Sequence, residues 1–212
     1  MSDYNLEDIK RAYDTHAAER DAAELGERKT KHINEAIEFF RQRAVQTVLE
    51  IGSGPGNAAQ VIEVAGFDIE CTDISPKMIE LVQAKGITGR VLDCREIESI
   101  GKTYDAVFSV NSLLHIPKAE MPTVLRGIHK VMKKNSIFIL GLWGGSDIEG
   151  IYDSDQYRPK RFFSLLSQMT LLSLLTEVFQ IEEYRRIVFD NDKFFHKVVM
   201  IKPTAGGWLF RD

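Results

Sequence analysis

The sequence is poor in cysteine and has no surplus of positive charge. Cys71 and Cys94 are its only two cysteines in 212 residues, so neither a disulfide framework nor a zinc site is expected. Lys and Arg number 27 against 31 Asp and Glu, which gives a formal net charge of −4. A protein that neutralises many nucleic-acid phosphates needs an excess of basic residues. The composition therefore disfavours a nucleic-acid partner.

Long apolar runs are also missing. No stretch approaches the ~18–20 residues of a membrane span, and residues 1–4 lack the basic and apolar regions of a signal peptide. We therefore expect no membrane partner and a cytoplasmic location. With 44% hydrophobic and 27% charged residues, the composition is that of a globular protein, and the length suits one domain with a small appendage.

The first 44 residues predict helices. Asn5 is suited to cap a first helix, and Ile33, Ile37 and Ala44 have helical spacing in a second. Charges cluster at residues 21–31, where the periodic pattern weakens. We expect that stretch to be a mobile connection.

From Val45 onward, apolar strands alternate with helices. Ser75, Pro76 and Gly86 provide the start and stop signals of one of these helices. Strands are expected at residues 45–51, 67–72, 91–92, 104–110 and 136–142, and a hairpin at 181–201 with its turn at 190–192, whereas residues 144–160 read as a polar loop. Alternation of this kind predicts a parallel sheet with helices on both faces.

A glycine-rich turn follows the first strand and carries the strongest functional signal. Gly52, Gly54 and Gly56 let a ligand approach the backbone without meeting a Cβ. Asp73 lies 21 positions after Gly52, at the end of the second strand, where a carboxylate can accept hydrogen bonds from two ribose hydroxyls. Together these features indicate an adenosine-containing ligand. The simpler interpretations are a tight turn for the glycines and a helix N-terminal residue for Asp73.

The glycine spacing and the nearby acids discriminate between adenosine ligands. The turn reads G-x-G-x-G, with Asn57 where the dinucleotide fingerprint has its third glycine, and no Gly-Lys-Ser/Thr of a phosphate-binding loop follows. Glu50, Asp73 and Asp93 would repel a pyrophosphate but suit a ligand with a sulfonium and an ammonium group. A solvated turn acid is the simpler interpretation of Asp93.

Three segments in this order resemble the class I S-adenosylmethionine-dependent methyltransferases of the small-molecule type. They are VLEIGSGPGNAAQVIEVAGFDIECTDISPKMIELVQAKG, VLDCREIE and YDAVFSVNSLLHIP. The resemblance implies an α/β, Rossmann-like, seven-stranded and mostly parallel sheet of strand order 3-2-1-4-5-7-6, whose last strand is antiparallel. It further implies a methyltransferase domain at residues 45–212 and an N-terminal helical lid at residues 1–44.

The resemblance also implies S-adenosyl-L-methionine as the cofactor and a role for individual residues. Glu50 and the glycine turn would lie near the methionine moiety, Asp73 at the ribose, and the later motifs at the adenine and the sulfonium. The cofactor-binding residues implied in this way are Tyr13, Arg20, Glu50, Gly52, Ser53, Gly54, Gly56, Asp73, Ile74, Ser75, Met78, Asp93, Cys94, Arg95, Val110, Asn111 and Ser112.

Residues that would act on the methyl acceptor are less clearly marked. His115 suits a general base or a packed residue at a helix start, and His16 is a second candidate base. Tyr13, His16 and Arg20 share a helix face that belongs either to the lid or to solvent. Trp143, Tyr152 and Tyr157 line an acceptor pocket or pack elsewhere. We expect no metal at the site.

The expected reaction is in-line transfer of a methyl group to an O, N, S or C nucleophile of a small molecule. The sequence Asn111-Ser112-Leu113-Leu114 departs from the Asn/Asp-Pro-Pro-aromatic signature of many amino-nitrogen methylases, which disfavours that chemistry. The alternatives are an RNA- or protein-directed methyltransferase, an NAD-dependent oxidoreductase and a non-catalytic cofactor-binding protein.

Overall fold

A computed structural model describes residues 4–189 and 194–203. Within these residues the chain forms seven α-helices, nine strands and two 3-10 helices. The helices are α1 (Leu6–Thr15), α2 (Ala17–Ala22), α3 (Glu27–Gln42), α4 (Asn57–Val64), α5 (Pro76–Ala84), α6 (Met121–Lys130) and α7 (Gln168–Thr176), and the 3-10 helices are Cys94–Ile100 and Leu113–His115. The strands are β1 (Thr47–Ile51), β2 (Asp68–Asp73), β3 (Thr88–Val91), β4 (Tyr104–Val110), β5 (Met132–Gly144), β6 (Ile148–Ile151), β7 (Phe162–Leu165), β8 (Gln180–Val188) and β9 (Phe194–Ile201).

Seven strands form one mixed sheet in the order β3-β2-β1-β4-β5-β9-β8. Strands β1 to β5 are parallel, and β9 runs antiparallel to both β5 and β8. The predicted fold class is therefore confirmed, including the single antiparallel strand. Because neighbouring parallel strands end at the same edge, the carboxyl ends of β1, β2 and β4 lie together, where ligands bind in open α/β sheets.

Two hydrophobic cores cover the two faces of the sheet. Successive residues of a strand point to opposite faces, so Phe138 and Leu140 of β5 enter one core while Ile137 and Ile139 enter the other. The first core includes residues of α6 and α7, and the second includes residues of α3, α4 and α5. The sheet is therefore enclosed by helices on both sides, which leaves its strand-end edge as the place for a site.

Capping residues set several of the helix boundaries. The Asn5 side chain accepts a hydrogen bond from the Glu7 backbone N–H, and the Ser75 hydroxyl accepts one from the Met78 N–H at 3.1 Å. Both helix starts predicted from these caps are confirmed. The predicted helix containing Ile33 and Ile37 is also present as α3.

Three local expectations are wrong. Residues 27–31 are helical, because α3 begins at Glu27 and its Glu, Arg and Lys residues are good helix formers. Ala44 lies beyond that helix, with a positive φ of 50°. Residues 144–160 are not only loop, because β6 pairs with β7 in a separate two-stranded antiparallel sheet.

The C-terminal hairpin is confirmed at the level of its two strands. Strand β8 pairs antiparallel with β9, from Gln180 opposite Ile201 to Val188 opposite Phe194. The predicted turn at residues 190–192 lies outside the described residues. Among residues 4–189 and 194–203, no helix combines the length and the apolar character that crossing a membrane requires.

We expect Met200→Ala to destabilise the protein by about 2–5 kcal/mol, because it leaves a cavity in a packed core. Met200 on β9 is fully buried, whereas Met169 on α7 is 83% exposed. The matched control Met169→Ala should change the free energy of unfolding by less than about 0.5 kcal/mol. Equilibrium unfolding in urea measures both values, and equal losses for the two variants would contradict the placement of β9 in the core.

Candidate functional site

A cavity of about 650 Å³, its open mouth included, lies at the carboxyl edge of β1, β2 and β4. Residues of α1 and α2 form one wall of the cavity, and the strand ends form the other. Of the site residues named from the sequence, those that line it are Tyr13, Arg20, Gly52, Gly54, Asp73, Ile74, Asp93, Cys94, Val110, Asn111, Ser112 and His115.

The glycine turn after β1 is held in a conformation that favours glycine. Gly52 has φ +69°, and a Cβ at this position would overlap the Ser112 side chain. The Gly52 N–H donates to the Thr72 carbonyl at 2.7 Å, which fixes the turn against β2. Gly54, with φ +57°, has only one outside atom within 4 Å of its added Cβ, Arg20 Nη2 at 3.8 Å. Its backbone is therefore accessible from the cavity.

Asp73 joins the end of β2 to the glycine turn. Its Oδ2 accepts a hydrogen bond from the Gly54 N–H and its Oδ1 one from the Ser75 N–H, both at 2.9 Å. A carboxylate has about four lone-pair sites, so these two bonds leave capacity for ligand hydroxyls. Burial raises the pKa of Asp73 above its ordinary value, while the two backbone hydrogen bonds lower it.

Asp93 is paired with the arginine that follows it. The carboxylate accepts hydrogen bonds from the Arg95 backbone N–H and Nε, both at 2.9 Å, and caps the 3-10 helix. Arg95 also reaches Glu120 at 3.2 Å, and its guanidinium carbon lies 5.5 Å from the centre of the Tyr4 ring. Arg95 is thus engaged by protein groups and does not line the cavity, whereas Asp93 and Cys94 do.

Arg20 Nε and Asn111 Oδ1 belong to residues that line the cavity, and both atoms are buried without a hydrogen-bond partner among the residues that the structure describes. Asn111 has a positive φ of 56°, and its backbone N–H donates to the Gly141 carbonyl at 2.8 Å. Buried polar groups in native proteins are nearly always hydrogen-bonded. An unpartnered guanidinium N–H suits a ligand carboxylate, and an unpartnered amide oxygen suits a ligand ammonium group. The two atoms together therefore fit a ligand that carries both groups.

The N-terminal helices are fixed to the rim of the cavity by polar contacts. Asp14 Oδ1 accepts hydrogen bonds from the Ser75 hydroxyl at 2.5 Å and from the Lys77 N–H at 3.2 Å. The Asn57 side chain donates to the Arg20 carbonyl at 3.3 Å, and Lys85 forms an ion pair with Asp21. The helices α1 and α2 are therefore held in place by contacts with α4 and α5.

Tyr13 of α1 connects this wall to distant parts of the chain. Its hydroxyl lies 2.7 Å from His115 Nε2 and accepts a hydrogen bond from Arg161 Nη1 at 3.1 Å. The guanidinium carbons of Arg20 and Arg161 each lie 5.3 Å from the centre of its ring. Burial raises the pKa of Tyr13, and the two guanidinium groups oppose that effect.

His115 is a neutral side chain whose two ring nitrogens are both in use. Nδ1 lies 2.6 Å from the Phe162 carbonyl oxygen, which can only accept, so the proton is on Nδ1 and Nε2 accepts from the Tyr13 hydroxyl. Burial is the main reason that the pKa of His115 falls to about 4. In this arrangement His115 has no free nitrogen for an acceptor and is a weak base.

The remaining sequence candidates lie outside the cavity lining. His16 stacks on Tyr157 with ring centres 4.0 Å apart, and Tyr157 accepts a hydrogen bond from Arg20 at 3.2 Å. Trp143 packs against Phe195, with 5.6 Å between ring centres. The site residues named from the sequence that the structure does not bring to the lining are His16, Glu50, Ser53, Gly56, Ser75, Met78, Arg95, Trp143, Tyr152 and Tyr157.

Glu50 lies behind the glycine turn and not on the cavity surface. Its side chain is buried, and Cys71 Sγ lies 3.9 Å from its Oε2. Burial, together with the negative charge of Asp73, raises the pKa of Glu50 to about 8. Glu50 is therefore largely protonated at neutral pH in the ligand-free protein.

Sequence reasoning missed several wall residues and the arginine behind them. Tyr4, Leu6 and Ile9 of the N-terminal segment line the cavity, as does Ile116. The spacing of Leu6, Ile9 and Tyr13 places these residues on one face of α1, and an apolar helix face of this kind packs against another part of the protein. No local sequence pattern marks Arg161 as a partner of Tyr13, because the two residues are 148 positions apart in the chain.

The raised pKa of Glu50 predicts a pH-dependent stability. The contribution of the protonated carboxyl is fully present below the unfolded-state pKa of 4.5 and is lost as the pH rises through about 8. We therefore expect Glu50→Gln to gain stability relative to the unmutated protein between pH 5 and pH 8, measured by urea unfolding without ligand. The exposed Glu63→Gln is the control, and a pH-independent difference for Glu50→Gln would contradict this assignment.

Known proteins share this architecture. A protein family described as a methyltransferase domain matches residues 48–135, and no curated protein sequence matches the chain. The 1,6-didemethyltoxoflavin-N1-methyltransferase of Burkholderia thailandensis, solved with 1,6-didemethyltoxoflavin and S-adenosylhomocysteine, is 15% identical with a TM-score of 0.70, over 92% of this chain and 88% of that one. Identity at this level shows a common fold.

Two further solved structures have the same fold. The N-methyltransferase NodS of Bradyrhizobium japonicum, in complex with S-adenosylhomocysteine, is 13% identical with a TM-score of 0.66, over 91% of this chain and 100% of that one. The magnesium protoporphyrin IX methyltransferase of Synechocystis, also with bound S-adenosylhomocysteine, is 14% identical with a TM-score of 0.68, over 92% and 97%. The chain therefore matches a methyltransferase domain over residues 48–135, and it has the fold of these methyltransferase structures.

Proposed function

We propose that this protein transfers a methyl group from S-adenosylmethionine to a small-molecule acceptor. The observation that carries the proposal is the set of ligand-ready groups on one cavity: the glycine turn, Asp73 at the next strand end, and the unpartnered atoms Arg20 Nε and Asn111 Oδ1. S-adenosylmethionine supplies a methyl group on a cationic sulfur, which makes that methyl group reactive toward nucleophiles.

The cavity residues fit the parts of this cofactor. Asp73 retains lone pairs for the ribose hydroxyls, and Gly54 leaves its backbone open to the cavity. Arg20 would pair with the carboxylate of the methionine moiety, and Asn111 Oδ1 would accept from its ammonium group. Ile74 would flank the adenine together with three other largely apolar side chains, those of Tyr4, Leu92 and Cys94.

The protein's own contribution to the transfer is positioning and the exclusion of water. Tyr13 closes the cavity from the side of α1, and its hydroxyl is held by His115 and Arg161. We propose on this basis that residues 1–44 act as a lid over the cofactor. Holding two reactants in line lowers the entropic barrier to their reaction, so a dedicated base is required only for an acceptor that arrives protonated.

The surroundings of the cavity support a small-molecule methyl acceptor. The helices α1 and α2 cover one side, and β7 contributes the Phe162 carbonyl that holds His115. The overall charge of −4 provides no general attraction for a polyanion. The solved structures of similar fold include enzymes named for small-molecule acceptors, which is consistent with the same class here.

Asp73→Asn should weaken S-adenosylmethionine binding by about tenfold or more, because a carboxylate that accepts ribose hydroxyls is lost. The matched control is Asp68→Asn at the other, exposed end of the same strand β2. Titration calorimetry measures both affinities, and circular dichroism checks the folding of each variant. Equal affinity of Asp73→Asn and the unmutated protein would contradict the assignment of the ribose site.

Arg20→Gln should weaken binding only of ligands that carry the amino-acid moiety of the cofactor. We expect about a tenfold to hundredfold loss of affinity for S-adenosylhomocysteine, because a charge-assisted hydrogen bond to its carboxylate is lost. Affinity for 5′-methylthioadenosine, which has no amino-acid moiety, should stay the same. Arg11→Gln, on the exposed face of α1, is the control. Equal losses for both ligands would place Arg20 elsewhere, and no binding of either ligand by the unmutated protein would overturn the proposed function.

A further inference from the structure

The two outer strands of the main sheet differ in how their open edges are protected. Among residues 4–189 and 194–203, β3 pairs only with β2 and β8 pairs only with β9. An open edge presents unpaired backbone N–H and C=O groups on which another strand can pair. Strand β3 has four residues, whereas β8 has nine and contains neither proline nor lysine, two residue types that protect edges. The edge of β8 is therefore suited to pairing with a further strand.

The last residues of β8 carry apolar side chains that the described residues leave exposed. Ile187 is 41% exposed and Val188 is 62% exposed. The two arginines before them, Arg185 and Arg186, are exposed as well. Exposed β-branched residues on a long edge strand are typical of strands that associate with another chain.

Symmetry limits how two copies of β8 can pair. The two strands extend the sheet when they run antiparallel about a two-fold axis perpendicular to it. Residues directly opposite each other in such a pair lie on the same face, and side chains alternate between the faces along each strand. The axis therefore lies between one residue and the same residue of the second copy.

The charged residues of β8 select one position for that axis. With the axis at Tyr184, Glu183 of each copy lies opposite Arg185 of the other, which gives two pairs of opposite charge. With the axis one residue earlier, Glu183 meets its own copy, and with the axis one or two residues later, Arg185 or Arg186 does so. Opposite charges directly across two strands stabilise the pairing, and like charges destabilise it. The charges therefore favour pairing about Tyr184.

The structure holds Glu183 and Arg185 in a suitable arrangement. Arg185 Nε lies 2.8 Å from Glu183 Oε1, and Arg185 Nη1 lies 3.9 Å from Glu35 Oε1. The Arg185 side chain is still 55% exposed, so it is accessible to a second carboxylate. The register of β8 is irregular between Ile181 and Glu183, whereas residues 183–188 pair with β9 without a shift. The residues at the proposed axis therefore lie in regular strand.

We propose that the edge of β8 is the interface of a homodimer in which two copies pair antiparallel about Tyr184. The backbone hydrogen bonds of this pair continue the two sheets into one. Glu183 and Arg185 of both copies form a cluster of four alternating charges, and the exposed apolar end of β8 lies beside residues 180–182 of the second copy. The inference is independent of the proposed function, because no residue of β8 lines the cavity.

Charge reversal tests both the interface and its register. Sedimentation equilibrium over protein concentrations that reach the millimolar range should show a reversible dimer of the unmutated protein. Glu183→Arg places an arginine opposite Arg185 of the second copy, and Arg185→Glu places a glutamate opposite Glu183. Each variant alone should dimerise about tenfold more weakly or worse, because both attractive pairs become repulsive.

Two combinations should restore the dimer. A mixture of Glu183→Arg and Arg185→Glu protein should form a heterodimer, because both pairs across the axis again join opposite charges. The double variant that carries both substitutions should dimerise as the unmutated protein does, for the same reason. Glu63→Arg and Arg126→Glu, at exposed positions of α4 and α6, make equal changes of net charge and should leave dimerisation unaltered. Circular dichroism checks the folding of every variant.

Three results would overturn the inference. The first is an unmutated protein that stays monomeric at every concentration. The second is undiminished dimerisation of Glu183→Arg alone, which would place the interface on another surface. The third is a failure of both the mixture and the double variant to dimerise, which would show that Glu183 and Arg185 do not face each other across the axis.

Discussion

The contact between Gly52 and Ser112 is the constraint on which the rest of the site depends. It brings the turn after β1 against the end of β4 so closely that a Cβ on Gly52 would overlap the serine side chain. This approach directs the backbone of Gly54 into the cavity and, through the hydrogen bond from the Gly54 N–H, sets the orientation of Asp73. A glycine turn is thus what joins three separate strands into one binding surface.

Charge is distributed unequally around this surface. On the strand side, the carboxyl groups that line the cavity are those of Asp73 and Asp93. On the helix side, Arg20 and Arg161 approach the Tyr13 ring. A ligand with a cationic centre and an anionic end meets a complementary field when it lies between these two sides, and this complementarity favours one orientation over its reverse.

Much of the fold was predictable from the sequence, because its parallel strands are buried on both faces and its caps are strong. Strand β4 has the bounds that its apolar run predicted, and α5 begins after Ser75 as expected. Strand β6 was not predictable, since its residues are largely exposed, include Gly150 and acquire their strand conformation by pairing with β7. The start of α3 is not evident from the sequence, because its first residues are charged or polar and lack the apolar spacing of a buried helix face.

The site residues also divide into those that local motifs predicted and those that only folding brings together. Gly52, Asp73 and Asn111 belong to local motifs, and the structure places all three on the cavity. The partners of Tyr13 were not recoverable, because Arg161 and His115 are brought to it by folding across more than a hundred positions. Trp143 shows the opposite error, since an aromatic residue after a strand indicated a pocket but packs beside Phe195.

The ion pair between Lys197 and Glu35 attaches one helix of the N-terminal region to the sheet. The Lys197 side chain is 2% exposed and that of Glu35 is 30% exposed, and the pair joins α3 to strand β9. The helices α1 and α2 have no such buried ion pair with the sheet among the described residues, and a short non-helical stretch, residues 23–26, separates them from α3. A lid formed by α1 and α2, as proposed above, would therefore turn about a fixed α3, and its opening would break a few polar contacts at the rim without unfolding the domain.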